Sequence, residues 1–195
     1  MTLLGTLLRN SRPQERHHAW NHPRLAAPDT VELTSHDFAD DQPLDSRHAG
    51  TSVGGQNVSP HLAWRNAPGA TIEFLLVVED LDSPIGSKPP VHCMALIDPY
   101  VLRTPNEVPQ GGLGEESLAT GVTPLRPTFG RGWIGPRPLK GHGTHRYVFQ
   151  LYALGDSILN RSDRAAILHA RPRAFFDSFG SRVLARGRMT GTYER

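Results

Sequence analysis

The stretch TIEFLLVVE, residues 71–79, decides the fold. It is short and almost continuously apolar, it contains one isoleucine and two valines, and it runs into the turn-forming residues 80–84. This combination predicts a strand in the core of the protein rather than a helix. Residues 91–97 and 147–154 have a similar apolar character, and we therefore predict three core strands.

The composition around these runs indicates a single loop-rich β domain. The sequence has 195 residues with 19 glycines and 17 prolines, and residues 99–144 are especially rich in both, which disfavours long helices and central strands there. A chain of this length suits one domain whose core needs no disulfide or metal. Strands joined by long loops, with helix only near the end, predict a β-sandwich with an appended helix.

Helical periodicity is found only in the C-terminal part of the sequence. Ser162 is a good N-cap for a helix over residues 163–170. Apolar residues then recur at helical spacing over residues 173–186, and Gly187 is a plausible stop signal. We predict a C-terminal helix over this segment and a short final strand over residues 190–193.

The first residues differ in composition from the rest of the chain. We divide the chain into an N-terminal arm, residues 1–28, and a domain, residues 29–195. The arm holds more large apolar side chains than a free tail normally exposes, namely Leu3, Leu4, Leu7, Leu8 and Trp20. Such an arm packs either on its own domain or on a second copy of the chain, and a homodimer is accordingly one of our predictions.

Several classes of protein are excluded by composition. The single cysteine, Cys93, excludes an intrachain disulfide and structural zinc of the multi-cysteine kind. No apolar run reaches the ~18 residues of a membrane helix, and residues 3–8 make a poor signal peptide, so we expect a cytoplasmic protein without a membrane span. The net charge is +2, although residues 161–195 hold eight arginines against three acidic residues. We interpret this excess as a solvated basic face and predict no nucleic-acid partner.

Polar residues gather where each predicted core strand meets a loop. Asp80 opens a turn after the first run, His92 begins the second, and a glycine-rich turn containing His145 leads into the third. Each feature is ordinary alone, since the first is typical of a turn and a single histidine at a strand start is usually structural. If the three strand ends share one edge of a sheet, the carboxylate and the two imidazoles meet in one pocket. Imidazole, phenol and backbone N–H groups are donors, so such a pocket suits a phosphate-like or carboxylate anion.

Short stretches in a fixed order resemble the phosphatidylethanolamine-binding protein family, whose bacterial branch is also called Raf-kinase-inhibitor-like. The matching stretches are GQNVSPHLAW (55–64), DLDSP (80–84), VH (91–92), GPRP (135–138), GHGTHRY (141–147), Phe149, YAL (152–154) and GTY (191–193). The resemblance implies a sandwich of antiparallel sheets with Greek-key-like connections and a C-terminal helix. That fold agrees with the pattern of strands and loops described above.

The resemblance also implies a small anion pocket at one end of the sandwich. Asp80 matches the aspartate that opens the first family motif, and His92 matches the pocket histidine. His145 and Tyr147 match the His-Arg-Tyr motif, and two prolines match positions that shape the pocket mouth. The predicted ligand-binding residues are Asp80, Asp82, Pro84, His92, Pro138, Gly143, His145, Tyr147 and Tyr193.

This sequence departs from the family pattern at three positions near the pocket. Cys93 stands where tryptophan is common, Leu81 stands in place of the first proline of Asp-Pro-Asp-Ala-Pro, and Leu139 in place of the second proline of Pro-Pro. Loss of the tryptophan ring changes the pocket wall, so we expect ligand size and selectivity to differ from those of other members.

These residues predict a non-catalytic protein that binds phosphate-like or carboxylate anions, including phosphorylated head groups, and that could regulate a kinase or a protease. In this hypothesis Asp80 orients one histidine, His92 and His145 donate to the anion, and Tyr147 and loop N–H groups complete the site. The alternative is a hydrolase that acts on a phosphate or acyl ester through Asp80, His92 and His145. The two pocket histidines could also hold zinc together with Asp80 and His142. However, two of these ligands flank a glycine in a flexible turn, and we predict neither a metal nor a cofactor.

Overall fold

The computed structural model of the protein describes residues 3–195. The strands are β1 (Glu32–Thr34), β2 (Gln42–Pro43), β3 (Leu62–Arg65), β4 (Glu73–Asp80), β5 (Val91–Ile97), β6 (Glu107–Val108), β7 (Val122–Pro124), β8 (His145–Leu154) and β9 (Val183–Tyr193). The helices are α1 (Leu3–Leu7), α2 (Arg164–His169) and α3 (Pro172–Ser178). Short 3-10 turns lie at Glu15–His17, Ala19–Asn21, Pro23–Leu25, Ser46–His48 and Thr51–Val53. The prediction of a mainly β fold is confirmed.

The three predicted core strands lie side by side in a six-stranded sheet. Its order is β2-β9-β8-β4-β5-β7, and every neighbouring pair is antiparallel except β2 and β9. A second sheet contains three antiparallel strands in the order β1-β3-β6. Because β4 is flanked by β8 and β5 along nearly its full length, one end of β4 lies beside the beginnings of both neighbours.

The two faces of the six-stranded sheet belong to two different core clusters, which explains why residues 71–79 are almost continuously apolar. Leu76 packs in a cluster that includes Trp64 of the three-stranded sheet. Leu75, on the opposite face, packs in a cluster that includes Phe176 of α3 and part of the N-terminal arm. A strand covered on both faces needs apolar side chains at consecutive positions, since successive side chains point to opposite faces.

The predicted C-terminal helix over residues 173–186 is wrong beyond Ser178. α3 ends there, and β9 begins at Val183 and pairs with β8 along its length, so the apolar residues that suggested a longer helix belong to two different elements. Gly187 is not a helix stop. A Cβ atom there would lie 1.9 Å from the carbonyl oxygen of Val31, so glycine at this position permits a close approach of two chain segments.

Two other predicted elements in this region agree closely with the observed ones. α2 covers most of the helix predicted over residues 163–170, and the strand predicted over residues 190–193 is the end of β9. The helices therefore precede the last strand instead of ending the chain. None of the helices formed by residues 3–195 is long and apolar enough to cross a membrane. The sandwich description, the Greek-key-like connections and the cytoplasmic location stay predictions.

The N-terminal arm packs on its own domain. Ala19 and Leu25 are fully buried in the cluster that contains the phenylalanines of α3. The ring of Trp20 lies against two guanidinium groups, with the Cζ atoms of Arg186 and Arg188 3.8 Å and 4.6 Å from the ring centroid. Arg186 also donates a hydrogen bond of 2.7 Å to the Trp20 carbonyl oxygen. These contacts attach the arm to β9.

The homodimer and the boundary between arm and domain stay predictions. Among the apolar side chains that suggested an interface, Trp20 is engaged within the chain, whereas Leu7 is 79% exposed. The side chains of Leu3 and Leu4 lie outside the described residues.

Candidate functional site

The three polar clusters of the sequence meet at one edge of the six-stranded sheet. β4 ends at Asp80, which pairs with Tyr147 near the start of β8, and the preceding residue pairs with the first residue of β5. Because both neighbours run antiparallel to β4, their starts flank its end. Asp80, His92 and His145 consequently surround one cavity, which is the arrangement that the sequence argument required.

Asp80 and His145 form a buried pair beside this cavity. Nδ1 of His145 lies 2.8 Å from Oδ2 and 3.0 Å from Oδ1 of Asp80. The backbone N–H of Asp82 donates to the same Oδ1 atom at 2.9 Å. Asp80 is 4% exposed and His145 is 1% exposed, so water competes little for these bonds. The carboxylate thereby fixes the orientation of the imidazole ring.

The second nitrogen of His145 also has a protein partner. Nε2 of His145 lies 2.8 Å from Nδ1 of His142, and Nε2 of His142 lies 2.8 Å from the carbonyl oxygen of Leu8 in the N-terminal arm. Burial lowers the pKa of His142. With both ring nitrogens engaged, His145 lines the cavity but has no free N–H for an anion, in contrast to the role expected from the sequence.

His92 is the pocket histidine with a ring nitrogen left for a ligand. Its Nδ1 atom donates to the carbonyl oxygen of Ile134 at 2.6 Å, and Nε2 has no hydrogen-bond partner among residues 3–195. Burial lowers the pKa of His92 and outweighs the nearby carboxylate of Asp80, so the ring is neutral at pH 7. In that state Nε2 is a hydrogen-bond acceptor, and it becomes a donor only when the ring is protonated.

The hydroxyl group of Tyr147 is a buried polar group near the Asp80 carboxylate and the Arg137 backbone. Tyr147 is fully buried and lines the cavity, and within the described part of the chain its hydroxyl makes no hydrogen bond of normal geometry. Burial raises the pKa of this phenol, and the nearby Asp80 carboxylate raises it further, so the hydroxyl keeps its proton. The His92 ring packs edge-on against the Tyr147 ring, with 5.1 Å between ring centroids. A buried donor left unpaired in this way is unfavourable unless a ligand or water completes it.

The cavity is cationic and partly apolar, with a volume of about 560 Å³. Among residues 3–195, one carboxylate, that of Asp80, and five basic side chains line it: Lys88, Arg126, Arg137, Arg171 and Arg173. Six prolines stiffen the walls, namely Pro84, Pro89, Pro90, Pro127, Pro138 and Pro172. Two large apolar side chains at the cavity, Ile85 and Phe129, are 70% and 54% exposed. The arrangement favours a negatively charged guest that also has some apolar surface.

Six of the nine predicted ligand-binding residues line the cavity: Asp80, Pro84, His92, Pro138, His145 and Tyr147. The cavity wall does not include Asp82, Gly143 or Tyr193. Asp82 instead accepts hydrogen bonds from the backbone and guanidinium of Arg146 and lies 2.8 Å from Nε of Arg12, and these contacts lower its pKa despite burial. Tyr193 pairs with the first residue of β8, and Gly143 forms the turn before that strand with φ of +108°.

The sequence analysis did not predict the basic side chains that line the cavity. Arg137 lies inside the stretch GPRP that carried the family resemblance, and its guanidinium stands 5.3 Å from the ring centroid of Phe129, so a signal for it existed. Arg171 and Arg173 come from the region of α3 and had no motif around them. Arg173 is held by bonds to Glu79 and to the carbonyl oxygen of Pro89. Only the packing of α3 against the sheet brings these arginines to the cavity.

Metal and thiol chemistry receive no support from the geometry. Among residues 3–195 there is no group of three or more His, Cys, Asp or Glu side chains placed to hold a metal ion. Cys93 is fully buried, and burial raises the pKa of its thiol to about 12, which keeps it protonated.

Comparison with known proteins identifies the family to which this fold belongs. A family model described as "Phosphatidylethanolamine-binding protein" matches residues 34–194. The chain belongs to the phosphatidylethanolamine-binding protein family. This confirms the resemblance found in the short stretches, and the whole N-terminal arm, residues 1–28, lies outside the part of the chain that the family model matches.

Bacterial and structural relatives agree with this membership in the phosphatidylethanolamine-binding protein family. The chain is 38% identical over 128 residues to the UPF0098 protein YbhB of Escherichia coli, covering 64% of this chain and 78% of that protein. It is 30% identical over 146 residues to a UPF0098 protein of Aquifex aeolicus, covering 72% of this chain and 77% of that one. The crystal structure of Escherichia coli YbcL, described as a new member of the mammalian PEBP family, superposes with a TM-score of 0.70 at 25% identity, covering 85% of this chain and 99% of that one.

Proposed function

We propose that the protein binds a small anion, phosphate-like or carboxylate, in the cavity at the edge of the six-stranded sheet, and that it does so without catalysis. The observation that carries this proposal is the pairing of two polar groups in the wall of one cavity lined by basic side chains: the buried hydroxyl of Tyr147, which makes no hydrogen bond of normal geometry among residues 3–195, and Nε2 of His92, whose ring packs edge-on against the Tyr147 ring. A donor and an acceptor in the wall of the same cavity match a singly protonated phosphate group, which offers both an acceptor oxygen and an O–H. Family membership supports the proposal, because the head group after which the family is named contains an anionic phosphate.

The contacts suggest a division of roles within the site. Tyr147 donates to a ligand oxygen, and His92 accepts from a protonated oxygen when neutral and donates when charged. Arg137 and Lys88 supply positive charge in the cavity wall, which attracts the anion before it is desolvated. Asp80 is engaged by Nδ1 of His145 at 2.8 Å and by the backbone N–H of Asp82, so its oxygens are bonded within the protein. A regulatory action on a kinase or protease through this face belongs to the same proposal and is supported by the family resemblance alone.

The hydrolase alternative is not favoured by the contacts. In that mechanism a histidine oriented by a carboxylate presents its other nitrogen to a water molecule. The oriented histidine is His145, and its Nε2 atom is bonded to His142 at 2.8 Å. We therefore retain binding as the proposed function.

Isothermal titration calorimetry tests the proposal directly. The full-length protein is titrated with inorganic phosphate, phosphoethanolamine and acetate at pH 6 to 8 (roughly one unit either side of neutral), and with ethanolamine as a ligand that lacks the anion. We expect saturable heat for the phosphates and none for ethanolamine. Absence of binding for all three anions would overturn the proposed function.

A further inference from the structure

The cavity has two ends that differ in burial. At the buried end Tyr147 is fully buried and His92 is 6% exposed. Burial is the main cause of the lowered pKa of His92, and the charge of Arg137 adds to it, so this guanidinium stands near the same end. The other end, which we call the mouth, is lined by exposed side chains, and three of these are basic: Lys88, Arg126 and Arg171.

The three cations of the mouth come from separate parts of the chain. Lys88 lies in the loop between β4 and β5, Arg126 follows β7, and Arg171 directly precedes α3. None of the three side chains forms a hydrogen bond or an ion pair within the part of the chain that the structure describes. Positive charges that converge without a partner repel one another, and an anion placed among them removes that repulsion. The mouth therefore favours an anionic group.

The remaining charged side chains of the wall are already engaged within the protein. The guanidinium of Arg173 lies 2.7 Å from the buried carboxylate of Glu79, which offsets its charge. The carboxylate of Asp80 lies at the buried end, bonded to Nδ1 of His145 at 2.8 Å. Among residues 3–195 no other carboxylate lines the cavity, so the mouth offers an ammonium group no ionic partner.

The size of the cavity leaves room for a second polar group on the ligand. Its volume of about 560 Å³ lies within the range of about 300–1,000 Å³ that holds drug-sized molecules. A phosphate at Tyr147 and His92 fills only a small part of this space. The rest of the ligand extends past Ile85 and Phe129 toward the mouth, where its charge decides whether the cations attract or repel it.

We propose that the protein selects ligands with two acidic groups, a phosphate at the buried end and a second anion at the mouth, and that Lys88, Arg126 and Arg171 determine this specificity. The inference rests on the proposed function and names its ligand class. A zwitterionic head group, such as the phosphoethanolamine after which the family is named, presents an ammonium group to the mouth and binds less tightly.

Three phosphate esters that differ mainly in the charge of the tail test this selectivity. Calorimetry on the full-length protein at about pH 7 compares ethyl phosphate, phosphoethanolamine and phosphoglycolate, whose tails are neutral, positive and negative. We expect phosphoglycolate to bind about fivefold more tightly than ethyl phosphate and phosphoethanolamine about fivefold more weakly, the effect of one charge contact at ~4 Å in water. Phosphoethanolamine bound as tightly as phosphoglycolate would overturn the inference.

The salt dependence shows whether charge causes the selectivity. Raising the ionic strength from about 0.1 M to about 1 M shortens the Debye length from about 10 Å to about 3 Å. The differences among the three esters should shrink over this range, because the cations of the mouth are exposed. Differences that are independent of salt would contradict a selection by charge.

A triple variant, Lys88→Gln with Arg126→Gln and Arg171→Gln, tests the residues themselves. Its affinities for the three esters should no longer differ. The control carries the same change of net charge at three exposed arginines outside the cavity wall: Arg103, Arg164 and Arg182, each replaced by Gln. The control should keep the selectivity of the wild-type protein, and equal loss in both variants would exclude a local effect of the mouth. If the triple variant does not fold, Arg171→Gln alone must still narrow the differences.

A soluble organophosphate and the head group of an acidic lipid can both supply two acidic groups. Sedimentation with phosphatidylcholine vesicles, with and without cardiolipin, distinguishes these sources, because cardiolipin has two phosphates. Binding that requires cardiolipin assigns the ligand to a lipid, and no vesicle binding assigns it to a soluble molecule. Binding to phosphatidylcholine alone would overturn the inference, since that head group is zwitterionic.

The outcomes separate this inference from the proposed function. Wild-type protein that binds none of the three esters overturns the proposed function. Wild-type protein that binds ethyl phosphate, but with no preference for phosphoglycolate, leaves the proposed function standing and overturns the role of the mouth.

Discussion

The carboxylate of Asp80 lies 2.8 Å from Nδ1 of His145, although 65 residues separate the two in sequence. The pairing of β4 with β8 brings them together, because the end of one strand lies beside the start of the other. This contact anchors one side of the cavity and orients the imidazole away from the ligand, toward His142. The groups left to meet a ligand are then Tyr147, His92 and the basic side chains of the wall.

Tyr147→Phe should have opposite effects on binding and stability. The hydroxyl is buried and makes no hydrogen bond of normal geometry among residues 3–195, so its removal should leave the free energy of unfolding unchanged or raise it by up to about 1 kcal/mol, the scale of one unmet hydrogen bond. Phosphate affinity should fall by about tenfold, since the ligand loses a buried donor. Calorimetric titration and urea unfolding measure the two effects. The control is Tyr100→Phe, because that hydroxyl lies on an exposed residue and bonds to the Thr71 carbonyl; equal losses of binding in both variants would contradict the assignment.

The pH dependence of anion binding should follow His92. Burial lowers the pKa of His92, so this imidazole becomes charged only at a pH below about 6.5, the normal histidine pKa. We therefore expect anion binding to become tighter only below that pH. His92→Gln keeps a side-chain acceptor but cannot titrate, so its phosphate affinity should show less of this increase. Titrations between about pH 5 and 8 compare the wild-type protein with His92→Gln and with His169→Gln, which alters an exposed histidine of α2. A profile that is the same in all three proteins would exclude His92 as the titrating group.

The stability of the ligand-free protein should fall as the pH is lowered. The pKa values of His92 and His142 are both lowered in the folded state by burial, so the unfolded state binds more protons once the pH drops through about 6.5. Stability that is fully present above this pH is therefore progressively lost below it. Phosphate should reduce the loss, because an anion favours protonated His92. Thermal unfolding across this pH range, with and without phosphate, gives the result, and a melting temperature that rises on acidification would contradict the burial argument.

Glu79→Gln should destabilise the fold and loosen the arm. Glu79 is fully buried and accepts from the Ala19 backbone, from Gln150 and from Arg173, at 2.8, 3.0 and 2.7 Å. Removing its charge leaves the Arg173 guanidinium without its ionic partner, and a loss of about 3–5 kcal/mol is typical for a broken buried pair. Urea unfolding measures the change. Glu115→Gln, an exposed substitution, serves as control, and a loss no greater than that of the control would show that the pair contributes little.

The core strands could be predicted because each is encoded by a short apolar stretch of consecutive residues. Residues 71–79 need apolar side chains on both faces of one strand, and that requirement is visible without knowing what covers each face. The last strand could not be predicted in the same way. Phe175 and Val183 stand at helical spacing, but one belongs to α3 and the other to β9, and pairing with β8 outweighs the local periodicity.

The site likewise contains residues that could be predicted from the sequence and residues that could not. Asp80, His92 and Tyr147 could be found because each stands where a core strand meets a loop. The roles of other residues depend on contacts between distant segments. His142 stands in the glycine-rich turn, but its contact with the carbonyl oxygen of Leu8, 134 residues away, cannot be predicted from that turn. Arg171 reaches the cavity only through the packing of α3.

A crystal structure of the full-length protein grown with phosphate tests the central claim most directly. The account predicts one phosphate in the cavity, within hydrogen-bond distance of both the Tyr147 hydroxyl and Nε2 of His92, with His145 still bonded to Asp80 and His142. A phosphate bound elsewhere, while these two atoms remain without a ligand, would contradict it.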